Sequence, residues 1–181
     1  MSRRAIATLV VSAALTAGSA VIGQAFAAQN VKIGLILPYT GVGTLQAQQM
    51  DRGVEQYLKM NAAQLKPYAF TIVKRDSKAP NGAASKIATQ ELLTQDKVDV
   101  LAGWNYSPDA IASAPVITAG KRLAVIMNAG TAFITNLSPY FVRVSFTLWQ
   151  SSYVMGEQSA KYLHAKTAVV AYTDYPPGKD A

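Results

Sequence analysis

No cysteine occurs in the 181 residues, and there is a single histidine, His164. The first absence excludes disulfides. It also excludes a lipoprotein anchor, which needs a cysteine at the new N-terminus. Together the two absences leave no ordinary zinc site. His164 stands at the tail of an expected helix beside Lys161 and Lys166, and reads as a solvated residue rather than a general base. Gly41-Val42-Gly43 lacks the third glycine and the spacing of a dinucleotide loop. No P-loop and no nucleophile motif with a histidine placed to serve it is present, so neither a cofactor nor catalysis is expected.

Charge is sparse too. Only 15% of residues are charged and 50% are hydrophobic, a globular composition rather than a disordered one. The net charge of +7 is spread thinly, and the longest basic runs are pairs such as Lys74-Arg75 and Lys121-Arg122. Nucleic-acid binding wants a concentrated basic stripe. A solvated surface is the better reading, with no nucleic-acid partner.

What is present begins with a leader. Arg3 and Arg4 open the chain, an uncharged stretch runs from Ala5 to Ile22, and Ala25-Phe26-Ala27 closes it with a small-x-small cleavage site. Residues 1–27 are read as a cleavable signal peptide, ahead of the alternative of a marginal, weakly apolar membrane anchor. The mature chain then starts near Ala28 and works in the periplasm.

Along the mature chain, apolar runs alternate with helical periodicity. Val31–Leu37 reads as a strand buried on both faces, and Leu45–Gln64 as an amphipathic helix. Tyr68–Arg75 is the next strand, then helix Ala83–Gln95, strand Val98–Ala102, and a third helix from Ser107 to about Ala119. Ser107-Pro108-Asp109 is a helix-start signal with serine as the cap; Pro115 threatens to kink that helix. Strand Leu123–Met127, strand Tyr140–Val144, helix Trp149–His164 and strand Thr167–Tyr172 complete the series. The pattern predicts an α/β fold with a mostly parallel sheet flanked by helices. No element closes after Tyr172–Ala181, which suggests the front part of a longer protein.

In such sheets ligands sit beyond the carboxyl ends of strands, at helix N-termini. Loops Pro38–Thr44, Gly103–Ser107 and Asn128–Thr131 occupy those places. The last two combine small residues with the hydroxyls of Ser107 and Thr131. They form either a carboxylate site or ordinary turns and caps, and spacing alone does not separate these. Tyr39, Trp104, Tyr106, Phe133, Trp149 and Tyr175 fall in or near loops, either as core or as aromatic cleft walls.

Six segments carry a family resemblance: VKIGLILPYTG, the Arg75-Asp76 to Ala84 region, VDVLAGWNYSPDA, AVIMNAGT, YFVRVS and YTDYPPGKDA. In order and spacing the chain resembles the exported solute-binding proteins of ABC importers, in the branched-chain amino-acid (Leu/Ile/Val-binding) family of type I periplasmic binding proteins. That resemblance implies two α/β lobes hinged around a small ligand. Residues 28–145 would form the first lobe and 146–181 the start of a truncated second. Ser107 matches the family hydroxyl that binds the ligand carboxylate. Ala129 and Thr131 match the next contact loop, through backbone N–H and hydroxyl, and Tyr175 an aromatic laid over the ligand. Gln46 or Leu45 falls where the family often has an aromatic, and Tyr106, counted among the contacts, where some members have cysteine.

One departure is informative. Amino-acid-binding members usually carry an aspartate five residues after the arginine of the Arg143 segment, near the ligand ammonium; here the residue is Leu148. A buried ammonium without an acid is costly. The resemblance therefore implies a carboxylate ligand without an amine, flat enough for Trp149, Trp104 and Tyr175, with a branched-chain amino acid as runner-up. It also implies a membrane permease as partner, a monomer, and hinge closure without chemistry. An extracytoplasmic sensor of the same fold is the alternative.

Overall fold

A computed structural model describes residues 28–181. The expected signal segment, residues 1–27, lies outside the described residues. Strand β1 (Gln29–Leu37) leads through a glycine-bearing turn into helix α1 (Thr44–Met60). Strand β2 (Tyr68–Asp76), helix α2 (Gly82–Thr94), strand β3 (Val100–Gly103), helix α3 (Ser107–Gly120) and strand β4 (Ala124–Ile126) follow. A 3-10 turn over Ala132–Asn136 precedes strand β5 (Phe141–Arg143). Helix α4 (Leu148–Tyr162) and the short helix α5 (Pro176–Asp180) end the series.

All five strands are parallel, in the order β2-β1-β3-β4-β5. Register explains the core. Gly34, Leu101, Ala124 and Phe141 form one row across the sheet, and Ile36, Gly103, Ile126 and Arg143 another. The apolar members of these rows pack with Ala88 and Leu92 of α2 and with Ala110, Ala114 and Ile117 of α3. Gly34 is needed for that fit, because a Cβ there would meet Leu92 Cδ1 at 2.9 Å. Helix α3 continues through Pro115 to Gly120.

Two caps differ in kind. Asn81 caps α2, its side chain accepting from Ala84 N–H at 3.1 Å. At α3 the cap position is Tyr106, with no side-chain cap bond, and Ser107 is already helical. The expected Ser107 cap is thus corrected, since its oxygen is engaged across the fold instead.

The loop after β1 is clamped by Asp76 at the end of β2. Its carboxylate accepts from Tyr39 N–H at 2.9 Å, Thr40 N–H at 3.3 Å and Lys78 N–H at 2.9 Å, and also from the Thr40 hydroxyl. Burial pushes the Asp76 pKa up, but these hydrogen bonds outweigh it and hold the group below its ordinary value.

The expected strand Thr167–Tyr172 does not form. Val169 is 99% exposed, and none of the strands described pairs with this segment. A strand needs a neighbour's ladder for its N–H and C=O groups, whatever its own sequence favours. Helix α4 likewise buries none of its residues. Among the described residues no helix is long and apolar enough to cross a membrane.

Candidate functional site

The strand order reverses at β1, whose neighbours are β2 on one side and β3 on the other. In sheets wound this way ligands bind at the carboxyl ends of the strands, in the crevice near that reversal. A cavity of about 160 Å³ lies at the carboxyl ends of β3, β4 and β5. It is lined by Asn105, Tyr106 and Ser107 after β3, and by Asn128 and Gly130 after β4. Phe146 and Leu148 after β5, with Tyr175 and Pro177, complete it. The Tyr106 ring also reaches the β1 loop: a Cβ on Gly43 would sit 3.0 Å from Tyr106 Cε2 and Oη.

Ser107 is fully buried at the N-terminus of α3. Its Oγ accepts from Thr131 N–H at 3.2 Å, which joins the β3 and β4 loops. That leaves the hydroxyl proton free to donate. The first N–H groups of a helix lack intrahelical partners and carry the positive end of its dipole. Ser107 thus combines an O–H donor with a helix end that favours negative charge. Among the described residues no Asp, Glu, Lys, Arg or His lines the cavity.

Thr131 is completely buried, and its Oγ1 has no hydrogen-bond partner among the described residues. Its carbonyl accepts from Arg143 Nη2, which also reaches the Ala132 carbonyl at 3.4 Å. Burial lowers the Arg143 pKa, and nearby Asp180 opposes the shift. Asp180 accepts from Ala132 N–H at 2.9 Å, so α5 is tied to the loop after β4.

The expected contacts divide in two. Ser107, Tyr106 and Tyr175 come together around the cavity, whereas Ala129, Thr131 and Trp149 do not line it. The Ala129 N–H already donates to the Trp104 carbonyl at 3.0 Å. Gly130 is the residue of that loop on the cavity surface. Trp149 is 47% exposed on α4. Trp104 is a core residue rather than a cleft wall. It is fully buried, donates from Nε1 to Ser113 Oγ at 3.1 Å, and meets Phe141 edge-on.

Asn105, Asn128, Phe146 and Pro177 were not among the expected contacts. Asn128 Nδ2 donates to the Asn105 carbonyl at 3.2 Å and to Asn105 Oδ1 at 2.9 Å. For the two asparagines the signal in the sequence was an amide in a strand-end loop, upstream of a hydroxyl residue. A second, open groove of about 580 Å³ runs between α4 and residues 165–170. None of its lining residues comes from a loop after a sheet strand, and it is the uncovered face of α4.

A doubly wound parallel sheet with an anion-favouring helix start at its strand ends defines an α/β ligand-binding lobe. The chain belongs to the periplasmic binding protein family, whose model matches residues 30–181. A curated relative, Leu/Ile/Val-binding protein homolog 6 of Brucella abortus strain 2308, is 36% identical over 85% of this chain and 39% of its own length. An ABC-transporter solute-binding protein from Rhodopseudomonas palustris BisB5, solved with 3,4-dihydroxybenzoic acid, superposes with TM-score 0.78. It is 38% identical over 83% of this chain and 41% of that one. Another from R. palustris, solved with 4-hydroxybenzoate, gives TM-score 0.78 and 36% identity over 84% of this chain and 41% of that one. The fold is that of type I periplasmic binding proteins, and the relatives are binding proteins rather than enzymes. The chain spans about two fifths of the length of these relatives.

Proposed function

We propose that this chain is the ligand-capturing component of an ABC importer, taking up an aromatic carboxylate in the periplasm and presenting it to a membrane permease. Residues 28–145 act as the first lobe and 146–181 as the start of the second, with residues 1–27 removed on export. The observation that carries the reading is the pairing of Ser107 with Leu148 in one cavity. A hydroxyl at a helix N-terminus suits a carboxylate. A leucine where an ammonium partner would be needed disfavours an amine. Tyr106, Phe146 and Tyr175 supply aromatic walls for a flat ring. The relatives solved with hydroxylated benzoic acids support the same ligand class. Ser107, Tyr106 and Tyr175 are the proposed direct contacts. Ala129, Thr131 and Trp149 would join them only through a shift of the loop or of α4 on binding. The protein works as a monomer, without nucleic acid.

A branched-chain amino acid is the second reading, favoured by the Brucella relative's name. A thermal-shift screen of the full native chain against benzoates and aliphatic amino acids separates the two, because a ligand that binds only the folded state raises Tm. A rise with benzoates alone supports the first reading. A rise with leucine or valine alone replaces it with the second.

A further inference from the structure

We propose that Asn105 and Asn128 together read a hydroxyl group on the ligand's ring; this rests on the aromatic-carboxylate reading above. Both residues line the cavity. Their mutual orientation is fixed by the backbone. Asn128 Nδ2 lies 3.2 Å from the Asn105 carbonyl oxygen and 2.9 Å from Asn105 Oδ1. Reversing the Asn128 amide would bring its oxygen against two other oxygens. With Asn128 fixed, Asn105 must present Oδ1 to it.

Two groups are left over. Asn105 Nδ2 is a donor and Asn128 Oδ1 an acceptor, and neither has a hydrogen bond among the described residues. Asn105 as a residue is only 5% exposed. Neither atom is among the buried polar atoms without a partner, so both are reached by solvent and stay available to a ligand.

The chemistry of the partner follows from this donor–acceptor pair. A carboxylate only accepts, so it satisfies Asn105 Nδ2 but opposes Asn128 Oδ1. An ammonium only donates and meets the reverse conflict. A hydroxyl does both: it accepts from Asn105 Nδ2 and donates to Asn128 Oδ1. The carboxylate is left to Ser107 and the α3 start, and the amide pair selects hydroxylated rings over bare ones.

The test is calorimetric titration of the full native chain with benzoate, 3-hydroxybenzoate and 4-hydroxybenzoate, repeated on Asn105→Ala and Asn128→Ala. The better hydroxybenzoate binds the unaltered chain on the order of 10- to 100-fold more tightly than benzoate. In the variants that ratio falls toward one, with folding of each variant checked separately by its thermal unfolding. Benzoate bound as tightly as both hydroxybenzoates by the unaltered chain overturns the hydroxyl reading and leaves the aromatic-carboxylate reading standing. A ratio that survives both substitutions overturns the role of the amide pair. Binding of none of the three overturns both readings. The ratio in the unaltered chain is informative even where a variant fails to fold.

Discussion

Leu148 N–H donates to the Gly130 carbonyl at 3.0 Å, and its side chain fills the space a Gly130 Cβ would need, with Cγ 3.0 Å from that position. The start of α4 is thereby seated on the β4 loop, and an apolar side chain stands at the cavity wall. Leu148→Asp would set a carboxylate against the ligand's own. Affinity for benzoates should fall on the order of 100-fold, whereas Leu148→Met should stay within a few-fold. Titration calorimetry on both variants checks this, and equal losses would refute the electrostatic role of this position.

Gly103 sits at φ +133, and a Cβ there would lie 2.1 Å from the Ile36 carbonyl oxygen. The turn out of β3 that aims Asn105 and Ser107 at the cavity needs glycine. Gly103→Ala should cost about 3 kcal/mol or more of stability, or prevent folding. Denaturant unfolding measures the loss; a cost under about 1 kcal/mol would contradict the account.

Asp109 is fully buried, accepts from Asn81 N–H at 2.9 Å, and is left with Oδ2 unpartnered. Burial raises its pKa to about 6, against the hydrogen bond from Asn81, which lowers it. Between its unfolded pKa and about 6 the folded state holds the extra proton, so stability falls as pH rises through that window. The expected loss from pH 4 to pH 7 is on the order of 2–3 kcal/mol from this group. Asp109→Asn keeps an acceptor for Asn81 and removes the titration. Its Tm relative to the unaltered chain should therefore improve from pH 4.5 to pH 7.5. A Tm difference that is the same at both pH values would contradict it.

Asp180 ties α5 to the loop after β4 through Ala132 N–H. Asp180→Ala should release that tie and speed ligand dissociation by about 10-fold, as loss of a charged hydrogen bond does. Stopped-flow displacement reads the rate. An unchanged rate would separate α5 from ligand retention.

Much of the fold was legible because it is local. Val31–Leu37 carried its own signature of a strand buried on both faces, and the Ser107–Asp109 helix start announced itself by residue type. What was misread depended on partners distant in sequence. Thr167–Tyr172 has strand composition but no neighbouring strand to pair with. Ser107 looks like a cap, yet its oxygen is taken by Thr131 N–H, 24 residues on. Trp104 stands in a strand-end loop, but its left-handed turn at φ 59 accompanies an indole directed into the core toward Ser113. Around the cavity, Ser107 and Leu148 were singled out through resemblance. The Asn105–Asn128 pair was not, since only the folded sheet brings β3 and β4 side by side.

The most direct test of the central claim is titration calorimetry of the full native chain with 4-hydroxybenzoate and, separately, with leucine. The Ser107–Leu148 cavity predicts binding of the hydroxybenzoate and no detectable heat with leucine. Tight binding of leucine with none of the hydroxybenzoate would contradict it.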